Sequence, residues 1–392
     1  MLLLCFLFLS WIFYLFMEAR QNEKALSSFR AVIHVNGIRG KTSTCRAIDA
    51  ALRTKYRVFT KTTGTDAAYI DVSGLEHPVR RFGPANIHEQ LHTIRRAQRE
   101  GAEILILECM AVNPELQKTS QEQIVRSGIS VITNVRFDHV FEMGETKEEI
   151  AAALSAVIPE RGLLFTADPQ GETYFGEACR IKGTELVLLS PGPEEAGTAE
   201  ENALIARAVS GRLGVTEEEF LKSRKKVRED FGIRKLYPVK TGTGKNCLFL
   251  NLFSANDPES TRSILEAVKR ELETSRGIRE ELAQVPLVFL YNHRTDRPDR
   301  ALLFARHFFP AYPEVPVFLS GSGSSLPRRL FNSSGSGPVK MLSKRATVQL
   351  DLPDIPAGAL IVGLGNIKGP AYRLIERLET EESNQERGTK NE

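Results

Sequence analysis

Eight consecutive residues carry the clearest chemical signal in the chain: Val35-Asn36-Gly37-Ile38-Arg39-Gly40-Lys41-Thr42, followed by Ser43. Gly37 and Gly40 let the backbone turn tightly and aim N–H groups, including those of Ile38 and Arg39, at phosphate oxygens. Lys41 can neutralise β- and γ-phosphates, and the Thr42 hydroxyl can ligate Mg²⁺. The loop reads GxxGKT, shorter than GxxxxGK[ST], because Val35 stands where the longer motif has its first glycine. A second Gly-Lys, in residues 241–245, has no helix pattern after it and reads as a turn. Glu108 ends the apolar run Ile104–Leu107, where a carboxylate faces the mouth of a parallel sheet, and ligands bind at the carboxyl ends of strands. Thr62, Thr63, Gly64 and Thr65 follow the segment Tyr56–Thr60. They could hold substrate carboxylates or a γ-phosphate, or form only a turn. Asn113-Pro114-Glu115 could line the same cleft. Asn251 and Arg294 lie in polar clusters at strand exits. Arg294 and Arg297 could bind carboxylate or phosphate in forked geometry, or sit in charged surface loops. Lys222, Arg224, Lys225, Lys226 and Arg228 form a basic run, read as a solvated helix face or a track for an anionic polymer.

These groups need a scaffold, and the apolar pattern supplies one. Strands are expected at 31–35, 104–107, 129–133, 162–166, 185–189, 248–253, 286–291, 315–319 and 359–364. Helices are expected at 42–55, 86–100, 146–156, 200–212 and 260–275. Short continuous apolar runs suit strands covered on both faces, and their alternation with helices favours an α/β fold with parallel sheets. Residues 191–200 and 320–338 read as a linker and an exposed loop, and the chain beyond Glu379 as a frayed polar tail. A composition shift at 230–245 marks the expected domain boundary. With 392 residues, two or three domains are expected. Fifty-two Lys and Arg against 49 Asp and Glu give no bulk charge for a nucleic-acid partner. Five well-separated cysteines argue against a disulfide scaffold or zinc ribbon.

Residues 2–17 contain 15 apolar residues in 16 and no charge. As a helix the run spans about 24 Å, enough to cross a slightly thinned bilayer with help from its flanks. A signal peptide is the rival reading, but no basic residue precedes the run and Met17-Glu18-Ala19-Arg20 is a poor cleavage site. Arg20, Lys24 and Arg30 follow it, which places the body of the protein in the cytoplasm behind a single-pass anchor.

The GxxGKT loop resembles that of the Mur-ligase superfamily, whose second motif is a strand ending in Thr-Asn followed by Asp-His, here Thr133-Asn134 and Asp138-His139. Lys61–Thr65, Glu108–Glu115, Met143–Thr146, Ser254–Asp257 and Gly365–Ile367 bring the chain close to the catalytic subunits of poly-γ-glutamate synthases of the CapB/PgsB type. The resemblance implies an ATP-dependent ligase. Mg²⁺ATP phosphorylates a chain's terminal carboxylate, and the amino group of the next glutamate attacks the acyl-phosphate. It implies that Thr42, Glu108 and His139 hold Mg²⁺, with Lys41, Glu108 and His139 catalytic. Asn134 lies near the nucleotide or caps the loop, and Arg234 sits at a hinge from which it could reach phosphate. It also implies small membrane-embedded partner subunits. Three domains are expected: an anchor (1–20), an ATP-binding central domain (21–234) and a smaller Rossmann-like domain (235–378), with a polar tail (379–392). Two positions depart from the pattern. Phe141 stands where the family commonly has an Asp, with Glu142 after it, and Lys147 is unsuitably spaced for the carbamylated lysine of many Mur ligases. Two alternatives stand beside this reading: a ligase of the same chemistry acting on another substrate, such as folate, and a nucleotidase powering polymer export. Only 36 residues precede Gly37, so the anchor is expected to take the place of a soluble substrate-binding domain.

Overall fold

Runs rich in Ile, Val and Leu become strands where helices can cover both faces. This is a computed structural model, and it describes residues 1–64, 67–81, 83, 85–190, 198–224, 235–255, 257–275 and 285–389. The chain divides into two units, Met1–Arg136 with Val140–Glu229, and Phe137–His139 with Asp230–Glu392.

In the first unit the elements run α1 (Leu2–Leu26), β1 (Ala31–Asn36), α2 (Lys41–Leu52), β2 (Val58–Thr62), β3 (Ala68–Ile70), β4 (Glu76–Pro78), α3 (Glu89–Arg99), β5 (Ile104–Glu108), α4 (Pro114–Thr119) and β6 (Ile129–Ile132). They continue through α5 (Val140–Met143), α6 (Lys147–Leu154), β7 (Leu163–Thr166), α7 (Gly171–Lys182), β8 (Glu185–Leu188), α8 (Thr198–Arg212) and α9 (Glu217–Arg224). The sheet order is β4-β3-β2-β5-β1-β6-β7-β8. β2, β5, β1, β6, β7 and β8 are parallel, while β3 and β4 return antiparallel at one edge. Alternate residues of β1 and β5 (Ile33, Val35, Ile104, Ile106) pack with Ile48 and Leu52 of α2 and with Ile205 and Val209 of α8. Truncating one such fully buried side chain to Ala costs roughly 2–5 kcal/mol. This packing fixes α2, and so the loop that precedes it.

α1 does not stop at Arg20. Residues 1–17 are exposed, but Asn22 is buried and its Nδ2 donates to the Ile124 carbonyl at 2.8 Å, while Arg95 of α3 pairs with Glu18 at 3.2 Å. Among the described residues, α1 is the one helix long and apolar enough to cross a membrane.

The second unit runs β9 (Lys235–Lys240), β10 (Asn246–Asn251), α10 (Pro258–Ser275), β11 (Leu287–His293), α11 (Pro298–His307), β12 (Val317–Gly321), α12 (Ser325–Ser333), β13 (Val339–Met341), α13 (Lys344–Gln349), β14 (Leu360–Gly365) and α14 (Pro370–Thr389). Its sheet order is β13-β12-β11-β14-β10-β9, parallel except for β9. Residues 241–245 turn the β9–β10 hairpin, as expected. One face buries Phe249, Phe253, Ile361 and Leu374; the other buries Phe289, Tyr291, Phe304, Phe308, Phe309 and Phe331.

Each expected apolar run coincides with a strand, its ends shifted by no more than about two residues, the usual scatter of element boundaries. Two expectations fail. Within 320–338, α12 forms because Pro327 and Phe331, four residues apart, are both buried. Beyond Glu379, α14 continues to Thr389, tied to β9 by a 2.5 Å ion pair between Glu382 and Lys235.

Candidate active site

The register of β1 lines up the chemistry. Val35 lies opposite Glu108 of β5, and Asn36 lies opposite Ile132 of β6. The GxxGKT loop, Glu108 and Thr133-Asn134 therefore leave the first sheet at one carboxyl edge, at the point where the chain switches sides, which is where open α/β sheets bind ligands.

The loop is held by its neighbours. Gly37 has φ 121° and Gly40, which caps α2, has φ 80°. A Cβ on Gly37 would overlap the Thr133 hydroxyl and backbone, and one on Gly40 would overlap the Asn202 side chain. Arg39 is clasped from both sides. Its N–H donates to Asn134 Oδ1 at 3.0 Å, and its carbonyl accepts from Asn134 Nδ2 at 3.1 Å and Thr133 Oγ1 at 2.5 Å. Asn134 thus braces the loop, one of the two roles open to it from sequence. The Lys41 ammonium folds back on its own loop, donating to the Gly37 carbonyl at 2.6 Å. Ser43 lies in the first turn of α2, half-buried.

Glu108 is 2 % exposed. Its Oε2 accepts from Thr42 Oγ1 at 2.9 Å and from the Thr63 N–H at 2.7 Å. Three sequence-chosen positions on three separate segments thereby meet at one carboxylate oxygen. Gly64 belongs to the same corner, since a Cβ there would lie 2.7 Å from Thr42 Oγ1. A hydroxyl and a buried carboxylate at hydrogen-bond distance, beside a glycine cradle, are the hard-oxygen donors a Mg²⁺ ion beside phosphates takes, so the residues fit the cation. Thr62 instead turns inward, donating to the Ala68 carbonyl at 3.3 Å. Asn113 accepts from the N–H groups of Glu115 and Leu116 and so caps α4. Thr65 lies outside the described residues, as does Arg234.

His139 belongs to the second unit with Phe137 and Asp138, apart from the unit that holds Thr42 and Glu108. It adopts φ 53°. Asp138, His139 and Asp299 offer ligand atoms within 4.8 Å of one another, yet Asp138 Oδ1 accepts from Arg297 at 2.5 Å and its Oδ2 lies 3.5 Å from Arg300. Two guanidiniums thus neutralise the Asp138 carboxylate. Asn251 is buried and accepts from the Phe253 N–H at 3.2 Å, and Arg294 pairs with Asp296.

Sequence reading gave no role to Asn202 of α8, which lies against Gly40 with its buried Oδ1 unpartnered among the described residues, or to Lys61, quoted only within the Lys61–Thr65 motif, which is 2 % exposed and paired with Glu89 at 2.9 Å. Burial lowers the Lys61 pKa against the pull of Glu89. Burial would raise the Glu89 pKa, but Arg81 and Lys61 outweigh it and hold the carboxyl at about 2. For Lys61 the available signal was its place in that motif, two residues before Thr63.

Two family models match the chain: "Mur ligase middle domain" over residues 35–163 and "Poly-gamma-glutamate synthase CapB C-terminal domain" over residues 236–381. The capsule biosynthesis protein CapB of Bacillus anthracis is 31% identical over 400 residues, covering 97% of this chain and 82% of that protein. The PGA synthase CapB of Bacillus subtilis (strain 168) is 30% identical over 379 residues, covering 92% of this chain and 93% of that protein. In fold, the bifunctional folylpolyglutamate synthase/dihydrofolate synthase of Yersinia pestis, solved with AMPPNP and a Mn ion, superposes with a TM-score of 0.60 at 13% identity, covering 92% of each chain. By these relatives the chain belongs to the CapB poly-γ-glutamate synthase family, among the ATP-dependent, amide-bond-forming Mur ligases.

Proposed function

We propose that the chain extends poly-γ-glutamate at a membrane, using ATP to activate the polymer's terminal carboxylate. The observation that carries this reading is the convergence of Thr42, Glu108 and Thr63 beside the GxxGKT loop. The Gly37–Gly40 backbone cradles the phosphates. Lys41 leaves its loop carbonyls to neutralise the transferring phosphoryl oxygens, and Asn134 keeps the loop from shifting as charge develops. Thr42 and Glu108 would hold Mg²⁺, and the family resemblance adds His139 as a ligand. Bound there, the cation would supply charge neutralisation for the transferring phosphoryl group. The Thr63–Gly64 corner positions the acceptor carboxylate, one oxygen of which attacks the γ-phosphorus and expels ADP. The amino group of an incoming glutamate then attacks the acyl carbon, releasing phosphate and a proton. In this reading residues 1–20 form the anchor of a single-pass protein whose catalytic domains (21–234 and 235–378) face the cytoplasm beside membrane-embedded partner subunits.

Acceptor chains carrying ¹⁸O in the terminal γ-carboxylate provide the test. One ¹⁸O per acceptor chain, released with the first bond formed on it, should appear in inorganic phosphate. Polymer growth with no label in phosphate rejects an acyl-phosphate route. ADP release indifferent to acceptor and glutamate would favour the export-nucleotidase reading.

A further inference from the structure

A cavity of about 640 Å³ opens in the first unit between the antiparallel edge β2–β3–β4 and α3, within the roughly 300–1,000 Å³ range of small-ligand sites. Its lining carries an excess of positive charge: Lys61, Arg80, Arg81 and Arg96 against the carboxylate of Glu89. Glu89 is already shared, at 2.9 Å from Lys61 and 2.8 Å from Arg81. Arg80 has no partner among the described residues, while Arg96 lies 3.9 Å over the ring of Tyr69 and pairs with Glu100 at 2.8 Å. The four cations outnumber the two carboxylates beside them, Glu89 and Glu100, and sit at separate points around the cavity, on the strand edge and on α3. A chain bearing a carboxylate at every repeat matches such separated cations better than one compact anion does.

Position ties the cavity to the chemistry. Lys61 lies two residues before Thr63, about 7 Å along an extended chain, and Thr63 is the residue that touches Glu108. The opposite face of α3 meets the anchor helix, through Arg95 to Glu18 at 3.2 Å and Gln98 to the Lys24 carbonyl at 3.4 Å. One helix therefore connects the cavity to the apolar N-terminal segment.

We propose that this cavity is the binding site for the growing polymer, with Lys61, Arg80, Arg81 and Arg96 taking the α-carboxylates of successive γ-glutamyl units behind the terminal one. The inference rests on the ligase reading above. It assigns the acceptor chain a path along α3, on the face opposite the one that meets α1.

The test is binding of a fluorescent γ-glutamyl decamer and dimer to the full-length protein in detergent, read by anisotropy at low and high salt. Arg80 is exposed, so Arg80→Glu leaves the fold intact. It should weaken the decamer roughly tenfold, the dimer less, and flatten the salt dependence. Arg207→Glu, a reversal on α8 away from the cavity, should bind like the parent. Equal decamer affinity in Arg80→Glu and parent, or a parent that binds neither peptide, overturns the proposal. A parent that binds the decamer through Arg80 but makes no polymer from Mg²⁺ATP and glutamate retains the site and rejects the ligase reading. Polymer synthesis with decamer binding insensitive to Arg80→Glu retains the ligase and rejects the site.

Discussion

Glu108→Gln separates the structural role of Glu108 from its proposed ionic one. Both hydrogen bonds to Glu108 fall on Oε2, from Thr42 and Thr63. A glutamine can present its amide oxygen at that point and keep both donors. Converting two charge-assisted bonds to neutral ones forfeits about 1 kcal/mol each, and removing a buried charge offsets part of that. The fold should therefore lose no more than about 2 kcal/mol, a fall of roughly 4–8 °C in melting temperature. Catalysis should suffer far more, because the neutral amide is a poor ligand for a hard cation. Loss of about 3 kcal/mol of transition-state stabilisation lowers kcat/KM for ATP roughly a hundredfold. The assay is ADP release across a Mg²⁺ titration, with melting followed on the same samples. The half-saturating Mg²⁺ concentration should rise at least about tenfold. A Gln variant with the parent's Mg²⁺ dependence and rate would refute the metal role. A variant that fails to fold would refute the estimate of its structural cost.

Three further predictions follow from the same geometry. Gly37→Ala meets backbone strain at φ 121° of about 1–3 kcal/mol and overlap with Thr133; nucleotide titration should show ATP affinity down at least about tenfold, and parent-like affinity would count against the cradle. His34, fully buried on β1, has its pKa lowered by burial to about 4 against the pull of Gln121. Its contribution to stability is present above pH 6.5 and lost as pH falls toward 4, up to roughly 3 kcal/mol. Urea unfolding at stepped pH should show this slope, and His34→Gln should flatten it; equal slopes contradict the reasoning. Asp138→Ala leaves Arg297 and the buried Arg300 facing a lost counter-charge, so the second unit should lose roughly 3 kcal/mol by calorimetry. Asp138→Asn should lose less.

The phosphate loop was legible because strand, glycines, lysine, threonine and helix follow one another within a few residues. Glu108 was legible because it ends a run of four apolar residues, and Thr133-Asn134 because the family resemblance singled it out. The short edge strands β3, β4 and β13 were not, since three residues give no periodicity, and Glu76-His77-Pro78 is polar. The cationic cavity was hidden for the same reason. Lys61, Arg80 and Arg96 lie far apart in the chain and meet only because β3 and β4 fold back against β2. α12 was read as a loop because its Ser-rich composition masked the Pro327–Phe331 spacing. Asn113 was chosen as a cleft-lining residue and Asn134 as a nucleotide neighbour or a loop cap; their local bonds cap a helix and brace the loop. Composition cannot separate these uses of asparagine.

The most direct measurement incubates the full-length protein in its membrane with Mg²⁺ATP and labelled glutamate, scoring ADP and γ-linked polymer together. The expected result is ADP in step with γ-amide bonds formed, both abolished by Lys41→Ala. ADP release unaffected by glutamate with no polymer, or polymer synthesis that survives Lys41→Ala, would contradict it.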